Sequence, residues 1–424
     1  LRVAFAHYSQ ANDISGVTTW VLTLARRLAA DGVPVAIHFV IAPGEPQGEP
    51  SLFQDLRQRG IHVSSAPRRP TLKDDTRETL AFLNHWQPTV FLPQCKPAHY
   101  AAAAVAGACG LPWALTIHSD DPDYWSTVRQ FGGSRDGSAI VSVSEHIQGE
   151  LNRRAPDRAS RVIPYGVAIP ECTTTYRNDP FQVVFSGRLW EHQKRASLVI
   201  QALIGACQDH GAMRATLLGE GYARRDCERQ VAEAGLTARI TFTGSLPPFE
   251  VMARLLESQA ILLMSDFEGL PIALLEAMAA GVVPVVRRIP SGIPELVTHE
   301  HTGLLVSEDP GEAAAALVRL AGDADLWRRC STAARERVAR GNSADTSYAQ
   351  WREVLEQLDR QQAAAPSSPF PLDTRRIPSL RQIDPAMHQE YRRAVPLRAA
   401  FTQALRTGIA RSKHRLKRLL PPHP

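Results

Sequence analysis

Two carboxylates, Glu268 and Glu276, stand eight residues apart in Leu263-Met-Ser-Asp-Phe-Glu-Gly-Leu-Pro-Ile-Ala-Leu-Leu-Glu-Ala-Met-Ala-Ala-Gly281. An apolar strand ends near Met264, a short loop carries Glu268 and Gly269, and Pro271 suits the first turn of a helix. Glu268 then sits over the helix start and Glu276 about a turn and a half inside. A helix N-terminus presents unpaired N–H groups and a positive field, which suits a phosphate or a leaving group gaining negative charge. An ionised Glu276 has enough acceptor sites for two ribose hydroxyls. The competing reading is a solvated helix Glu plus a loop Glu. Leu275, Ala277 and Ala279 around Glu276 count against it.

A second constellation is Phe185-Ser-Gly-Arg-Leu-Trp-Glu-His-Gln-Lys194-Arg195. Arg188 leaves a strand end, Lys194 opens the next predicted helix, and Gly187 lets backbone approach a ligand. Two cations over one crevice neutralise a diphosphate without a metal, and Arg can grip it bidentately. Taken alone they also read as solvated surface charges. Ser15-Gly16-Val17 is a glycine turn opening a helix, able to set amides against phosphate. His118 ends the run Trp113 to Ile117, where open α/β sheets keep their sites. It reads equally as a half-buried structural histidine. His7 stands similarly after the first strand. Leu217-Leu-Gly-Glu-Gly221 lacks the third glycine of a dinucleotide fingerprint and reads as a tight turn. No His-Glu-x-x-His or Gly-x-Ser-x-Gly pattern occurs, so neither a catalytic metal nor a serine nucleophile is expected.

These residues need strands to end beside them. Continuous apolar runs alternate with helix-like stretches from Val3 to Gly166, and the alternation restarts at Gln182 and continues to Val306. Such runs mark buried parallel strands, so the fold class is α/β, with two Rossmann-like domains facing across a cleft. The predicted domains are residues 1–170 and 171–345. A helix over 346–360 is expected to pack back toward the first, and 361–424 forms a linker and a basic helical or unstructured tail. The predicted helices include one starting at Lys194 and one from Pro271 to Ala280.

The 424 residues carry a net charge of +5. From Arg375 onward 12 basic residues face two acidic ones, so the tail is +10 and the remainder −5. The basic balance therefore gives the body no nucleic-acid footprint. Six cysteines without Cys-x-x-Cys spacing point to a reduced, cytoplasmic chain. Neither a secretory leader nor a membrane-spanning run is expected.

Glu-x7-Glu (Glu268 to Glu276), Gly-Arg-x5-Lys (Gly187, Arg188, Lys194) and Pro294-Glu-Leu-Val with Thr302-Gly-Leu-Leu-Val306 together resemble the retaining glycosyltransferases of family 4, which have the GT-B fold. The resemblance covers roughly residues 1 to 360. It implies that Arg188 and Lys194 hold and stabilise the departing donor diphosphate, and that Glu276 binds the ribose. It implies that Glu268 contacts the transferred sugar, that His118 faces that sugar, and that Gly16 abuts the diphosphate. Leu270, within Glu268-Gly269-Leu270-Pro271, would lie near the phosphates, and Thr241 to Leu246, including Ser245 and Leu246, near the nucleobase. Two departures stand out. Tyr165 replaces a common Asn in Val162-Ile-Pro-Tyr165-Gly-Val-Ala168, a change expected to touch hinge packing more than chemistry. Arg195 follows Lys194 where Gly is commoner.

The resemblance implies transfer of a sugar, with retention, from a UDP- or GDP-sugar to a hydroxyl acceptor in glycan, glycolipid or polysaccharide synthesis. No cofactor or metal is expected. Same-face attack is favoured, since Glu276 is spent on ribose. Alternatives are a nucleotide-sugar epimerase or hydrolase on this fold and a non-catalytic partner subunit. The basic tail would lie on an anionic membrane surface, placing a cytoplasmic protein peripherally on the inner face beside a lipid-linked acceptor.

Overall fold

The computed structural model describes residues 1–9, 15–42, 51–69, 71–131, 138–361 and 370. Apart from Gln361 and Phe370, the expected linker and tail lie outside them. The first seven strands are β1 (Val3–Ser9), β2 (Val35–Ile41), β3 (His62–Pro67), β4 (Val90–Pro93), β5 (Trp113–Ile117), β6 (Ser138–Ser142) and β7 (Ser160–Val162). They form one parallel sheet in the order β3-β2-β1-β4-β5-β6-β7. Then come β8 (Phe181–Ser186), β9 (Met213–Leu218), β10 (Ile240–Gly244), β11 (Ala260–Leu263), β12 (Val283–Arg287) and β13 (Leu304–Val306). Their parallel sheet runs β10-β9-β8-β11-β12-β13.

Both sheets are covered by helices on each face, which is why central strands such as β4, β5 and β11 are buried at every position and not at alternate ones. All five residues of β5 and all four of β11 are buried. Strand order reverses at β1/β4 in the first sheet and at β8/β11 in the second. At such a reversal the following connections depart to opposite faces and leave a crevice at the carboxyl ends. Gly16 follows β1, and Arg188, Lys194, Glu268 and Glu276 follow β8 and β11, at these two reversals, while Ser245 and Leu246 follow the edge strand β10. His118 follows β5, one strand further along.

The helix predicted to start at Lys194 starts later. Glu191–Lys194 is a single turn, Arg195 takes a left-handed conformation (φ 50°, ψ 53°), and Ala196–Asp209 is the main helix. The Glu191 carboxylate explains the break: it accepts from the Ser197 amide (3.0 Å) and hydroxyl (2.6 Å), capping the second helix from outside. Helices Pro122–Phe131, Pro310–Gly322 and Ala324–Gly341 lie in stretches where the sequence pattern predicts no element.

Two chain segments cross between the halves side by side. Val167 donates to the Asn342 carbonyl and accepts from Ala344, both at 2.9 Å. The helix Ala344–Gln361 then lies on the first half. Trp351 packs on Trp20 with ring centroids 5.1 Å apart, and Arg161 meets Glu353 at 2.9 Å. A second bridge is Glu295, whose carboxylate accepts from the Glu145 and His146 amides at 3.1 and 2.9 Å. Those amides begin the helix Glu145–Arg154, so a carboxylate of one half satisfies a helix start of the other. No described helix is long and apolar enough to cross a membrane.

Candidate active site

A cavity of about 370 Å³ opens between the carboxyl ends of the two sheets. Two helix starts face each other across it. From the first half comes Gly16–Ala30, whose cap Ser15 accepts from the Thr18 amide at 3.2 Å. From the second comes Ile272–Ala279, entered through Pro271. A Cβ on Gly16 would lie 3.5 Å from Ile272 Cδ1, so the two starts are one side chain apart. Gly16, Leu270, Pro271 and Ile272 all line the cavity. The opposed positive ends make this the natural seat for an anion.

Arg188 and Lys194 line the same wall, with Gly187 between strand end and loop. The Arg188 guanidinium lies 4.1 Å over the Trp190 ring and donates to Gln193 Oε1 at 3.0 Å. Lys194 Nζ is 2.6 Å from Glu268 Oε1, and both side chains are nearly buried. Lys194 and Glu268, which the sequence reading treated as separate contacts, are thus one buried ion pair. The left-handed turn at Arg195 ends the short helix and directs the chain into the main one, just after Lys194. Gln193 steadies the loop by donating to the Phe267 carbonyl at 3.2 Å.

The glycine fragment after β9 has a packing role. A Cβ on Gly219 would fall 2.0 Å from the Gly187 carbonyl oxygen, and one on Gly221 2.3 Å from that of Leu189. The loops carrying Arg188 and Glu220 therefore stack backbone on backbone, tied by Leu189 N–H to Glu220 O at 2.9 Å. Gly219 sits at φ 135°, a conformation that suits glycine.

Glu276 lines the cavity from the third residue beyond Ala273 and is half-buried. Burial pushes its carboxyl from 4.5 up to about 7. Gly269 approaches the opposite half so closely that a Cβ would be 2.2 Å from the His118 carbonyl oxygen. His118 itself is buried and lines the cavity; desolvation lowers its imidazole to about 3, so the ring is neutral. His7 is fully buried, and its Nε2 meets Thr18 Oγ1 at 2.9 Å. Burial first, then His118 and Lys96, lower it to about 3. It supports the start of Gly16–Ala30 from behind. Of Thr241 to Leu246, Ser245 and Leu246 line the cavity, while the exposed Thr241 lies back on the sheet, 3.3 Å from Thr216.

Sequence reasoning did not single out the first-half residues Cys95, Tyr100 and Tyr124, which also line the cavity, and it assigned Tyr165, another lining residue, to hinge packing. Nor did it single out Gln94, buried beside His118. Position at the end of β4, beside the strand reversal, was the signal available for Gln94 and Cys95. Asp120, His146 and Glu150 converge within 4.8 Å, the one such group among the described residues. Arg153 and Arg154 already hold the two Glu150 oxygens, so this cluster is an ion-pair network.

Comparison with known proteins agrees with this geometry. Residues 14–169 match the model described as Glycosyltransferase Family 4, and residues 174–337 the model described as Glycosyl transferases group 1. The amylovoran biosynthesis glycosyltransferase AmsK of Erwinia amylovora is 34% identical over 189 residues, 43% of this chain and 46% of AmsK. The match thus spans less than half the length of that relative. Among solved structures, sucrose-phosphate synthase from Thermosynechococcus elongatus superposes with a TM-score of 0.69 at 20% identity, covering 84% of this chain and 99% of that one. Anabaena HepE in complex with UDP gives a TM-score of 0.67 at 18% identity, covering 84% of this chain and 100% of that one. Two parallel Rossmann-like sheets facing across a cleft, with these neighbours, are the GT-B fold. With one family model on each half of the cleft, the chain belongs to the group 1, family 4 glycosyltransferases.

Proposed function

We propose that this chain transfers a sugar, with retention of anomeric configuration, from a nucleotide-diphosphate sugar to a hydroxyl acceptor in polysaccharide assembly. The observation that carries the reading is the convergence of Arg188, Lys194 and two helix starts on one interdomain cavity. The UDP bound to the HepE fold relative and the glycosyltransferase role in amylovoran biosynthesis named for AmsK support the same reading.

In this reading the acceptor oxygen attacks the anomeric carbon from the face the diphosphate leaves. The bond from that carbon to the β-phosphate oxygen breaks, its electron pair stays on that oxygen, and the acceptor proton passes to it. Arg188 and the helix starts meet the negative charge as it grows, in a site that excludes water as the halves close. Lys194 shares itself between Glu268 and the phosphate. Glu268 then faces the sugar with its charge partly balanced, which steadies a cationic anomeric carbon without attacking it. Glu276 takes the ribose, and Ser245 and Leu246 flank the base. These cations supply counter-charge from side chains, so turnover is expected to persist in a chelator.

The test is a mass-spectrometric screen of UDP- and GDP-sugars against lipid-linked and free glycan acceptors, with the product anomer assigned by NMR. Retained configuration, and loss of turnover in Arg188→Ala and Glu268→Gln, are expected. An inverted product, or unchanged turnover in both variants, would end the assignment. A changed donor without acceptor would instead mark an epimerase. For the basic tail, sedimentation with anionic liposomes with and without residues 362–424 reads the proposed membrane contact, and truncation is expected to abolish it.

A further inference from the structure

Tyr165 lies just past β7, on the segment that crosses to the second half, and it is buried. Its hydroxyl meets His118 Nδ1, and the two rings lie nearly parallel, at 9° with centroids 5.9 Å apart. On the other side His118 Nε2 is 2.6 Å from Gln94 Oε1. In this rotamer of Gln94 the amide oxygen faces the ring, and an amide oxygen only accepts, which assigns the hydrogen to Nε2. A neutral ring then has a bare Nδ1, and the Tyr165 hydroxyl donates to it. Both ring nitrogens are spent inside the protein, which leaves the ring no nitrogen with which to take a proton from an acceptor.

The same tyrosine is anchored to the hinge. Its carbonyl accepts from Asn342 Nδ2 at 3.2 Å, on the returning crossover. The Pro164 carbonyl before it accepts from Ser347 Oγ at 2.8 Å. At Gly166, a Cβ would lie 2.5 Å from the Ser343 carbonyl oxygen, so the two crossing segments run in backbone contact. Trp20 closes the cluster, 5.2 Å from the His118 ring and 6.2 Å from that of Tyr165.

We propose that Tyr165 is a positioning residue: with Gln94 it holds His118 in the Nε2–H tautomer and couples the cleft histidine to the crossover between the two halves. The functional part rests on the reading above, in which His118 faces the donor sugar; the tautomer does not. A side chain that the sequence assigned to hinge packing thereby reaches the site.

The experiment is long-range ¹H–¹⁵N NMR on the full chain with ¹⁵N-labelled histidine, His118 being assigned by the loss of its signals in His118→Gln. Wild type is expected to show the neutral Nε2–H form between about pH 5 and 8. Tyr165→Phe removes the donor and should move the Nδ1 resonance. In turnover it should lower kcat up to about tenfold, the worth of one buried hydrogen bond, with donor KM little changed. Gln94→Leu frees the other nitrogen and should give mixed tautomers, which keeps the test alive if Tyr165→Phe does not fold. An Nδ1–H tautomer in wild type, or unchanged His118 signals in the folded variants, would overturn the proposal. If the spectra behave as expected while wild type transfers no sugar, the functional reading has failed and the tautomer lock stands.

Discussion

Glu276 carries the clearest conflict between folding and function at the scale of a single residue. Its carboxyl is pushed up to about 7 because the cavity wall desolvates it. The folded state therefore holds a proton that the unfolded chain releases near 4.5. Stability falls as pH rises through that window, by up to about 3 kcal/mol. Glu276→Gln removes the ionisable group, so its melting temperature at pH 8 should exceed that of wild type. In the proposed role ribose hydroxyls donate to the ionised form, so nucleotide binding should release a proton near neutral pH and weaken as pH falls below about 7. Calorimetry in buffers of different ionisation enthalpy reads that proton directly. Glu276→Gln should release none and should bind nucleotide far more weakly. The Lys194–Glu268 pair differs: it was invisible in the sequence because its members lie 74 positions apart. Each was legible as a cleft residue, and their mutual neutralisation was not.

At the scale of elements, the strands were the legible part. Buried on both faces, they show as apolar runs without alternation, and β1, β5, β8 and β11 could be read within a residue or two of their ends. Helix starts were less legible where a distant or unusual cap sets them. Arg195 is the example, since the break before Ala196 depends on the Glu191 carboxylate and a left-handed backbone at a non-glycine. That conformation costs an L-residue roughly 1–2 kcal/mol, against about 0.5–1 kcal/mol of extra chain entropy for glycine. The Arg195 contacts to Glu191 and Asp266, both at 3.6 Å, are partly exposed and contribute little. Arg195→Gly should thus melt no lower than wild type, while Arg195→Val should melt several degrees lower. Equal losses in both would show that the Arg195 side chain, not its backbone, holds the loop. Gln94 and Tyr165 mark the limit of local reading, because their meaning lies in a histidine 24 and 47 positions away.

At the scale of the whole molecule, the structure holds two halves in contact through the crossover and through Glu295. Two charge-assisted bonds to a helix start are worth on the order of 1–2 kcal/mol. Glu295→Ala should therefore shift the closed-to-open ratio roughly 5- to 30-fold. Small-angle scattering should show a larger radius of gyration with unchanged secondary structure. An unchanged scattering curve would mean that the crossover and the close contacts at Gly16 and Gly269 hold the halves without Glu295. Closure matters in the proposed mechanism because its diphosphate seat uses one helix start from each half. The most direct measurement is calorimetric binding of UDP and GDP, each against its nucleoside, to wild type and Arg188→Ala. At least one diphosphate should bind wild type far more tightly than its nucleoside, and Arg188→Ala should lose about ten- to a hundredfold of that affinity, the worth of a hydrogen bond to a charged group. Diphosphates that bind no better than their nucleosides, or full affinity without Arg188, would contradict the account.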